Sequence, residues 1–385
     1  MSEPPVATVI GAATVAIWVY LLCFRGGFWW LPYRPAPVAM SVPARSVVAV
    51  IPARDEAAVI GRSVISLLAQ DYCGRLQVVV VDDQSTDGSV DIARAAAAET
   101  ARRLIICRGK PVPPGWTGKL WAVHQGVDVA RSLRPDYLLL TDADIVHAPG
   151  NLSELVSRSE TQGYDLVSLM VRLNCRSLPE RLLIPAFVFF FFKLYPPRWV
   201  ADSVRRTAAA AGGCMLIRAS SLERIGWIDS IRHEIIDDCA LARRVKSVGK
   251  VWLGPSTRTR SIREYRSWHA IWDMIVRSAY AQLGYSAPML ILMVVMLMLT
   301  YVAPPLLLLS SQPVAILSGA VAWAGMTIAF LPTLRAYDAP LSLASLLPLI
   351  VLFYVAATVA SAVQFWRGRG GYWKGRFQAA APDNT

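Results

Sequence analysis

The sequence lacks the two glycine-rich loops by which many nucleotide-binding proteins hold phosphate. Neither G-x-G-x-x-G nor G-x-x-x-x-G-K-[S/T] follows the first strand-like run, Val47–Ile51. Those loops bind phosphate through backbone N–H groups, so their absence argues against the familiar dinucleotide-binding and ATP-binding folds. A nucleotide diphosphate held through a divalent cation on carboxylates remains compatible with the sequence.

Metal-binding and disulfide patterns of cysteine are also missing. The six cysteines show no C-x-x-C spacing and no histidine at a zinc-ligand distance along the chain. We therefore expect free thiols in a reducing, cytoplasmic compartment. The cysteines are Cys23, Cys73, Cys107, Cys175, Cys214 and Cys239.

Charged residues are absent from three long stretches, Val6–Phe24, Ser286–Leu334 and Leu341–Phe365. A spanning helix needs ~20 apolar residues. The second stretch has room for two spans, near Met289–Leu309 and Val314–Leu334. The chain is also 55% hydrophobic, which is high for a soluble protein. These features predict an integral membrane protein with several spans.

Basic residues are missing from the N-terminus, where no Lys or Arg precedes Arg25. A secretory signal peptide has a basic first region, so we expect an uncleaved anchor here. The net charge of +12 is spread over the globular part and the flanks of the hydrophobic segments, without aromatic residues interleaved. This pattern favours a cytoplasmic membrane surface over nucleic acid as the partner. The prediction is a multi-pass protein of the inner (cytoplasmic) membrane with its globular domain in the cytoplasm.

The part of the chain between the hydrophobic ends alternates short apolar runs with helical stretches. Successive strand and helix units of this length predict an α/β domain with a doubly wound, mostly parallel sheet. The apolar run that opens the domain is expected to turn at Pro52. The predicted organisation is an anchor and linker (1–44), the α/β domain (45–256), an interfacial helical linker (257–285), transmembrane segments (286–366) and a basic tail (367–385).

Three acidic clusters stand out: Asp82–Asp83, Asp142 with Asp144, and Asp237–Asp238. The first two follow strand-like runs, and open α/β sheets bind ligands at the carboxyl ends of their strands. Asp142 and Asp144 would lie on one side of an extended segment and share a cation. Each cluster also has a structural interpretation, as a turn or a helix cap. From the residues alone, both interpretations stay open.

Several motifs in order resemble the family 2 glycosyltransferases of the GT-A fold. They are VVAVIPARDEAAVI, VVVDDQSTDGS, GWTGKLWAVHQG, LLLTDAD, GGCMLIRASSLERIGW and DDCALARRV, covering about Val47–Val251. Together with WDMIVRSAYAQLGYS and the hydrophobic C-terminal segments, they look like the hopene-associated glycosyltransferases of bacterial hopanoid clusters. Ceramide glucosyltransferases are more distant relatives.

The resemblance implies inverting transfer of a sugar, in a single displacement, from a nucleotide-sugar donor to a membrane lipid. It implies that Mg²⁺ or Mn²⁺ is bound by Asp142 and Asp144 and that Asp238 is the general base. The remaining residues that it assigns to the donor or the acceptor are Pro52, Ala53, Glu56, Asp83, Lys119, Gly212, Gly213 and Arg277.

Two positions depart from the family pattern. Asp55 stands where the family more often has Asn, and the (Q/R)xxRW motif is not cleanly present. The leaving-group contact is thus either Arg263 and Arg266 with Trp268 or, as the resemblance also allows, Trp272 with Arg277. Two alternatives to lipid glycosylation remain open, a processive polysaccharide synthase and a non-catalytic nucleotide-binding membrane protein.

Two questions about the membrane stay open at this stage. The run LLIPAFVFFFFKLYPPRW is either a buried core helix or an interfacial helix beside which a lipid enters. If all three C-terminal hydrophobic segments span, the basic tail lies opposite the catalytic domain, against the positive-inside rule. One of these segments is then expected to be re-entrant.

Overall fold

The computed structural model describes residues 6–30, 44–98, 100, 103–372, 374–376 and 378. Most of the linker predicted after the N-terminal anchor, residues 31–43, lies outside the described residues, as does the end of the basic tail. The described part contains eight strands and fifteen α-helices, with short 3₁₀ and π turns between some of them.

The strands are β1 (Val47–Ala53), β2 (Leu76–Asp82), β3 (Arg103–Arg108), β4 (Tyr137–Leu140), β5 (Ile145–His147), β6 (Leu166–Arg172), β7 (Met215–Arg218) and β8 (Val251–Ser261). The helices before the last hydrophobic region are α1 (Val6–Cys23), α2 (Ile60–Leu68), α3 (Ser89–Ala97), α4 (Gly118–Ser132), α5 (Asn151–Gln162), α6 (Leu178–Leu194), α7 (Pro197–Ala201), α8 (Ala219–Arg224) and α9 (Asp237–Lys246). They are followed by α10 (Trp268–Val276), α11 (Ala279–Gln282), α12 (Ala287–Leu297), α13 (Ala303–Leu307), α14 (Pro313–Ala336) and α15 (Leu347–Trp366).

The strands form one sheet in the order β3-β2-β1-β4-β7-β6-β8-β5. The half from β3 to β4 is parallel, as the strand and helix alternation predicted. The other half is mixed, because β7 runs antiparallel to both β4 and β6, and β5 runs antiparallel to β8. The prediction of a mostly parallel sheet is therefore right for one half, and the whole is a mixed α/β sheet.

Buried apolar runs explain the central strands. All seven residues of β1 are buried, which fits a strand covered by helices on both faces. The expected turn at Pro52 is wrong: Pro52 lies inside β1, in register with Val81 of β2. At the other end of the domain, β8 continues to Ser261, where it pairs with Ile145, five residues beyond the expected limit at residue 256.

Four helical segments are long and apolar enough to cross a membrane, by length and composition, within the described residues. They are Val6–Cys23, Ala287–Leu307, Pro313–Ala336 and Leu341–Trp366. The second is interrupted by a π turn at Met298–Val302, just before Pro304 and Pro305. These segments match the four predicted from the uncharged stretches.

Helix α1 is packed into this helical region along its length. Gly11 lies so close to α14 that an added Cβ would come 2.9 Å from the Cβ of Ser318. The buried indole of Trp18 donates a hydrogen bond of 2.8 Å to the carbonyl of Thr300 in the π turn. At the end of α1 farther from the catalytic domain, Thr8 Oγ1 donates to Gln312 Oε1 over 2.8 Å.

The last hydrophobic segment leaves the sheet domain and returns to it. It starts beside the sheet, where Asp338 pairs with Arg172 over 2.5 Å. It then reaches the middle of α14, where the Trp323 indole donates to the carbonyl of Ser345 over 3.2 Å. Helix α15 next packs along α6, α10 and α11, and Ser361 Oγ donates to the carbonyl of Val276 over 2.5 Å.

Helix α6 lies between the sheet domain and the long apolar helices. It begins with a capping box formed by Ser177 and Glu180, which pairs two otherwise unsatisfied backbone N–H groups. Phe189 packs against Phe330 of α14, and Tyr354 of α15 donates to the carbonyl of Leu183 over 2.8 Å. The apolar run of α6 is thus a buried helix that packs between the sheet domain and the helices α14 and α15.

Candidate active site

The acidic residues that follow β1 and β2 meet at the carboxyl edge of the sheet, as expected for neighbouring parallel strands. Glu56 lies in the loop after β1, and its backbone N–H donates to Ser89 Oγ over 2.8 Å. Asp83 follows β2 directly, and its N–H donates to the carbonyl of Ala53 over 2.8 Å. Asp83 is fully buried, and burial raises the pKa of its carboxyl group, against the effect of nearby arginines.

A buried ion-pair network joins this edge to the second acidic cluster. The Arg263 guanidinium contacts both carboxylate oxygens of Glu56, at 2.7 and 2.8 Å. Its Nε lies 3.4 Å from Asp144 Oδ2, which also accepts a hydrogen bond of 2.5 Å from Ser261. Burial disfavours the charge on Arg263, but Asp144 and Glu56 outweigh this effect and raise its pKa. Arg263 therefore joins the loop after β1 to the turn that contains Asp144.

Lys119 connects the second and third acidic clusters. Its Nζ lies 3.1 Å from Asp142 Oδ1 and 3.1 Å from Asp237 Oδ2. Burial disfavours the ammonium group, but the surrounding carboxylates outweigh it, so the pKa of Lys119 is raised. The two carboxylates therefore favour the charged form of Lys119.

Asp238 lies at the start of α9 and is held by backbone N–H groups. Its Oδ2 accepts from Gly212 over 2.8 Å and its Oδ1 from Cys239 over 2.7 Å. Burial, with a further contribution from the negative charge of Asp237, raises the pKa of Asp238 to about 6. A carboxylate of this kind is ionised at neutral pH and basic enough to take a proton from a hydroxyl group.

The diglycine brings its loop close to the acidic groups. A Cβ at Gly212 would stand 3.4 Å from both Asp238 Oδ2 and Lys119 Nζ, and one at Gly213 would stand 3.0 Å from the side chain of Val171. The carbonyl of Gly213 also accepts a hydrogen bond of 2.7 Å from Thr141, the residue before the DxD. Pro52 lines a cavity of about 20 Å³ beside Lys119 and Asp142.

A much larger cavity, of about 500 Å³, opens from the same centre toward the membrane segments. Lys119, Asp237 and Asp238 line its polar end, together with Arg277 after α10. The rest of its wall is predominantly apolar and comes mainly from α6, α12 and α15, with Lys193 and Gln282 among its polar residues. We call this space the membrane-side cavity. Among the described wall residues outside that polar end are Phe187, Phe190, Phe191, Met293, Met296, Leu297, Val351 and Tyr354.

The structure distinguishes between the two predicted arginine and tryptophan sets by position. Arg277 is exposed and lines both the membrane-side cavity and a small cavity beside Lys119. Arg266 is 82% exposed and pairs with the neighbouring Glu264, while Arg263 is part of the ion-pair network. Of these three arginines, Arg277 is the one that lines the cavities beside Lys119.

The carboxylates of Asp142 and Asp144 supply only some of the ligands that a divalent cation needs. Among the described residues, no group of three or more His, Cys, Asp and Glu side chains is arranged to hold a metal ion. Two carboxylates supply hard oxygen ligands, and Mg²⁺ commonly takes its other ligands from substrate phosphates and water. Asp142 and Asp144 are therefore suited to a cation that arrives with the diphosphate.

One part of the site was missed from the sequence. Lys374 and Arg376 of the basic tail reach the carboxylates at the ends of β1 and β2. In the sequence, these residues bear only on membrane topology, and the Gly375 between them is a signal of a turn.

Comparison with known proteins identifies the chain. The model of the family described as "Glycosyltransferase like family 2" matches residues 43–280, more than half of the chain. The chain belongs to this family. It is a glycosyltransferase, and the alternative of a non-catalytic nucleotide-binding protein is set aside.

Two curated relatives are undecaprenyl-phosphate 4-deoxy-4-formamido-L-arabinose transferases. The one from Aeromonas hydrophila is 32% identical over 105 residues, 27% of this chain and 28% of the relative. The one from Shewanella sediminis is 28% identical over 155 residues, 39% of this chain and 40% of the relative. The chain thus spans less than half the length of the curated relatives that it matches.

A solved structure shows the fold of the glycosyltransferase. The mannosyltransferase PcManGT from Pyrobaculum calidifontis, in complex with GDP-Man and Mn²⁺, is similar with a TM-score of 0.53. It is 20% identical in sequence, and the similarity covers 93% of this chain and 98% of that one. The GT-A fold predicted from the sequence motifs is confirmed as a mixed sheet of that kind.

Proposed function

We propose that this glycosyltransferase moves a sugar from a UDP-sugar to the hydroxyl group of a membrane lipid, with inversion and in a single displacement. The observation that carries the proposal is the membrane-side cavity. It joins the carboxylate of Asp238 to an apolar wall built by the membrane segments. An apolar cavity of about 500 Å³ that ends at a base is suited to a lipid whose reactive group is a hydroxyl.

The base favours an alcohol over a lipid phosphate as the acceptor. A hydroxyl group must lose its proton as it attacks, and a carboxylate within hydrogen-bond reach accepts that proton. A phosphate oxygen is already an anion and needs no base. Asp238, with a pKa raised to about 6, meets the first requirement. The resemblance to hopene-associated enzymes suggests a hopanoid alcohol.

On the donor side, Asp142 and Asp144 would hold Mg²⁺ or Mn²⁺, which neutralises the charge that develops on the departing diphosphate. Lys119 and Arg277 line the same centre and add fixed positive charge. Glu56, Asp83, Pro52 and Ala53 would border the uridine. Gly212 and Gly213 would let the sugar approach the backbone, because neither carries a side chain.

We further propose a topology with three crossings, by α1, by α12 with α13, and by α14. The Leu341–Trp366 segment is re-entrant, since it begins and ends at the catalytic domain. A re-entrant segment is tolerated where it packs against other protein segments, and α15 packs on one side against α6, α10 and α11. The basic tail then lies on the same side as the catalytic domain, in agreement with the positive-inside rule.

The function is tested with the purified full chain in detergent, supplied with Mg²⁺ or Mn²⁺, a panel of UDP-sugars and either a hopanoid alcohol or a polyprenyl phosphate. We expect a glycosylated hopanoid by mass spectrometry and release of UDP. Transfer to the polyprenyl phosphate alone would overturn the acceptor class, and a ladder of products on a gel would indicate a processive synthase.

The topology is tested by placing an epitope tag in the loop at Ser310–Gln312 and another after residue 385, in separate proteins. In inverted membrane vesicles, which expose the cytoplasmic face, we expect protease to remove the C-terminal tag and to spare the loop tag. Protection of the C-terminal tag would show that the last segment crosses.

A further inference from the structure

The chain folds into a short hairpin after α15. We call it the C-terminal hairpin and define it by its described residues, Gly370–Tyr372, Lys374–Arg376 and Gln378. The backbone N–H of Gln378 donates to the carbonyl of Gly370 over 3.2 Å. Lys374 and Gly375, at the tip, have φ angles of +46° and +85°, which make the turn tight.

The hairpin binds the carboxylates that border the proposed uridine site. Arg376 Nη1 donates to Asp83 Oδ2 over 2.9 Å, and its Nη2 donates to Gln84 Oε1 over 3.3 Å. Lys374 Nζ lies 2.9 Å from Glu56 Oε1. The tip of the hairpin therefore neutralises both carboxylates at the ends of β1 and β2.

Backbone groups hold the tip in the same place. Lys374 Nζ also donates to the carbonyl of Asp55 over 3.0 Å. In return, Arg54 Nε donates to the carbonyl of Lys374 over 3.2 Å. These contacts fix the hairpin to the loop that follows β1.

The docked hairpin leaves little room for a nucleotide. Asp83 is 0% exposed and Glu56 is 8% exposed. Apart from the membrane-side cavity, the cavities that Lys119 lines measure about 20 and 40 Å³, and Gly371 and Gln378 of the hairpin line the second. Pockets for small molecules are typically ~300 Å³ or larger. The hairpin thus occupies the space beside Glu56 and Asp83.

The docked hairpin pairs with only one oxygen of the buried Asp83 carboxylate. Asp83 Oδ2 is paired with Arg376, but Oδ1 is buried and has no hydrogen-bond partner among the described residues. An unpaired buried acceptor costs free energy, which a donor N–H from a bound base would recover. A bound nucleobase could therefore replace the contact between Arg376 and Asp83.

We propose that the C-terminal hairpin is an autoinhibitory strap, which occupies the nucleoside part of the donor site and leaves it when the donor binds. This inference rests on the proposed function, since it takes Glu56 and Asp83 as nucleoside contacts. The donor binds only the fraction of molecules with the strap undocked, so its apparent affinity is lower than its intrinsic affinity by that fraction.

The strap is tested by calorimetric titration of UDP into the full chain in detergent. The double variant K374A/R376A removes both strap cations. The control variant R367A/R369A removes two exposed positive charges nearby. We expect the first variant to bind UDP at least about fivefold more tightly than the wild type. The second is expected to match the wild type.

Limited trypsin digestion provides a second readout that does not depend on activity. We expect UDP to speed cleavage after Lys374 and Arg376, measured by mass spectrometry against cleavage after the exposed Arg205. Protection of these bonds by UDP, or equal or weaker UDP binding by K374A/R376A, would overturn the strap.

The outcome also separates this inference from the proposed function. If the wild type binds GDP, CDP or ADP in place of UDP, the UDP donor is wrong and both tests are run with the nucleotide that binds. If the wild type and both variants bind none of the four, the donor site itself is wrong and the strap fails with it.

Discussion

The two sides of the reaction centre are built in opposite ways. On the donor side, Glu56, Asp83 and Asp144 are buried among cations, and the neighbouring cavities measure about 20 and 40 Å³. On the acceptor side, the membrane-side cavity measures about 500 Å³ and has an apolar wall. The difference teaches that the structure is open on the proposed acceptor side and closed on the proposed donor side. Substitutions on one side should therefore affect the donor, and substitutions on the other side should affect the acceptor.

The largest effect is expected at the point where the two sides meet. D238N removes the base but keeps the size of the side chain, so transfer to the lipid should slow about 1,000-fold. UDP affinity, measured by calorimetry, should change little, because Asp238 faces the acceptor cavity. A transfer rate within tenfold of the wild type would exclude Asp238 as the base.

A substitution at the proposed cation site should impair use of the sugar donor and leave acceptor binding unchanged. D144A removes one of two carboxylate ligands, and we expect transfer at fixed Mn²⁺ to fall on the order of 100-fold, with partial recovery at higher Mn²⁺. The control is D128A, an acidic residue on the surface of α4. Identical Mn²⁺ dependence in D144A and the wild type would contradict a metal role for Asp144.

A change in the wall of the membrane-side cavity should affect the acceptor alone. M296W adds bulk to the cavity lining, so we expect the KM for the lipid to rise about tenfold while the KM for the donor is unchanged. Met289 lies on the same helix, is similarly exposed and does not line the cavity, which makes M289W the matched control. Equal kinetics for both variants would argue that the acceptor lies elsewhere.

The smallest effect is a shift of the pH profile. Asp238 must be deprotonated to act, so kcat/KM should rise with pH through about 6. Removing the like charge in D237N lowers the pKa of Asp238 and should move this limb to lower pH by about one unit. The measurement is kcat/KM from pH 5 to 8, and a limb that stays in place or moves upward would contradict the assignment.

The positions of residues that directly follow strands could be predicted from the sequence. Asp83, Asp142 and Asp144 follow strands whose carboxyl ends share one edge, so their meeting could be inferred from the βα repeats. The antiparallel direction of β7 could not be inferred from the sequence, because a four-residue buried strand has no pattern that reveals its direction. The roles assigned by resemblance, such as Asp238 as base, remain predictions.

Contacts between distant segments could not be predicted. Arg376 and Asp83 are 293 positions apart, and a crossing by the last hydrophobic segment would have put them on opposite faces of the membrane. That segment has a mean hydropathy of 2.3, the same as Ala287–Leu307, so composition does not separate a re-entrant segment from a crossing one. Only its partners, such as Ser345 against Trp323, show where it turns.

The hydrogen bond from Trp18 to the carbonyl of Thr300 has a consequence for how this protein can be handled. A helix that merely tethers an enzyme to a membrane can be exchanged for another tether or removed to give a soluble fragment. Helix α1 instead caps a carbonyl in the π turn of a neighbouring helix, and Gly11 admits Ser318 at close range. Removing α1 would leave that carbonyl facing hydrocarbon, so the first eighteen helical residues belong to the minimal folding unit.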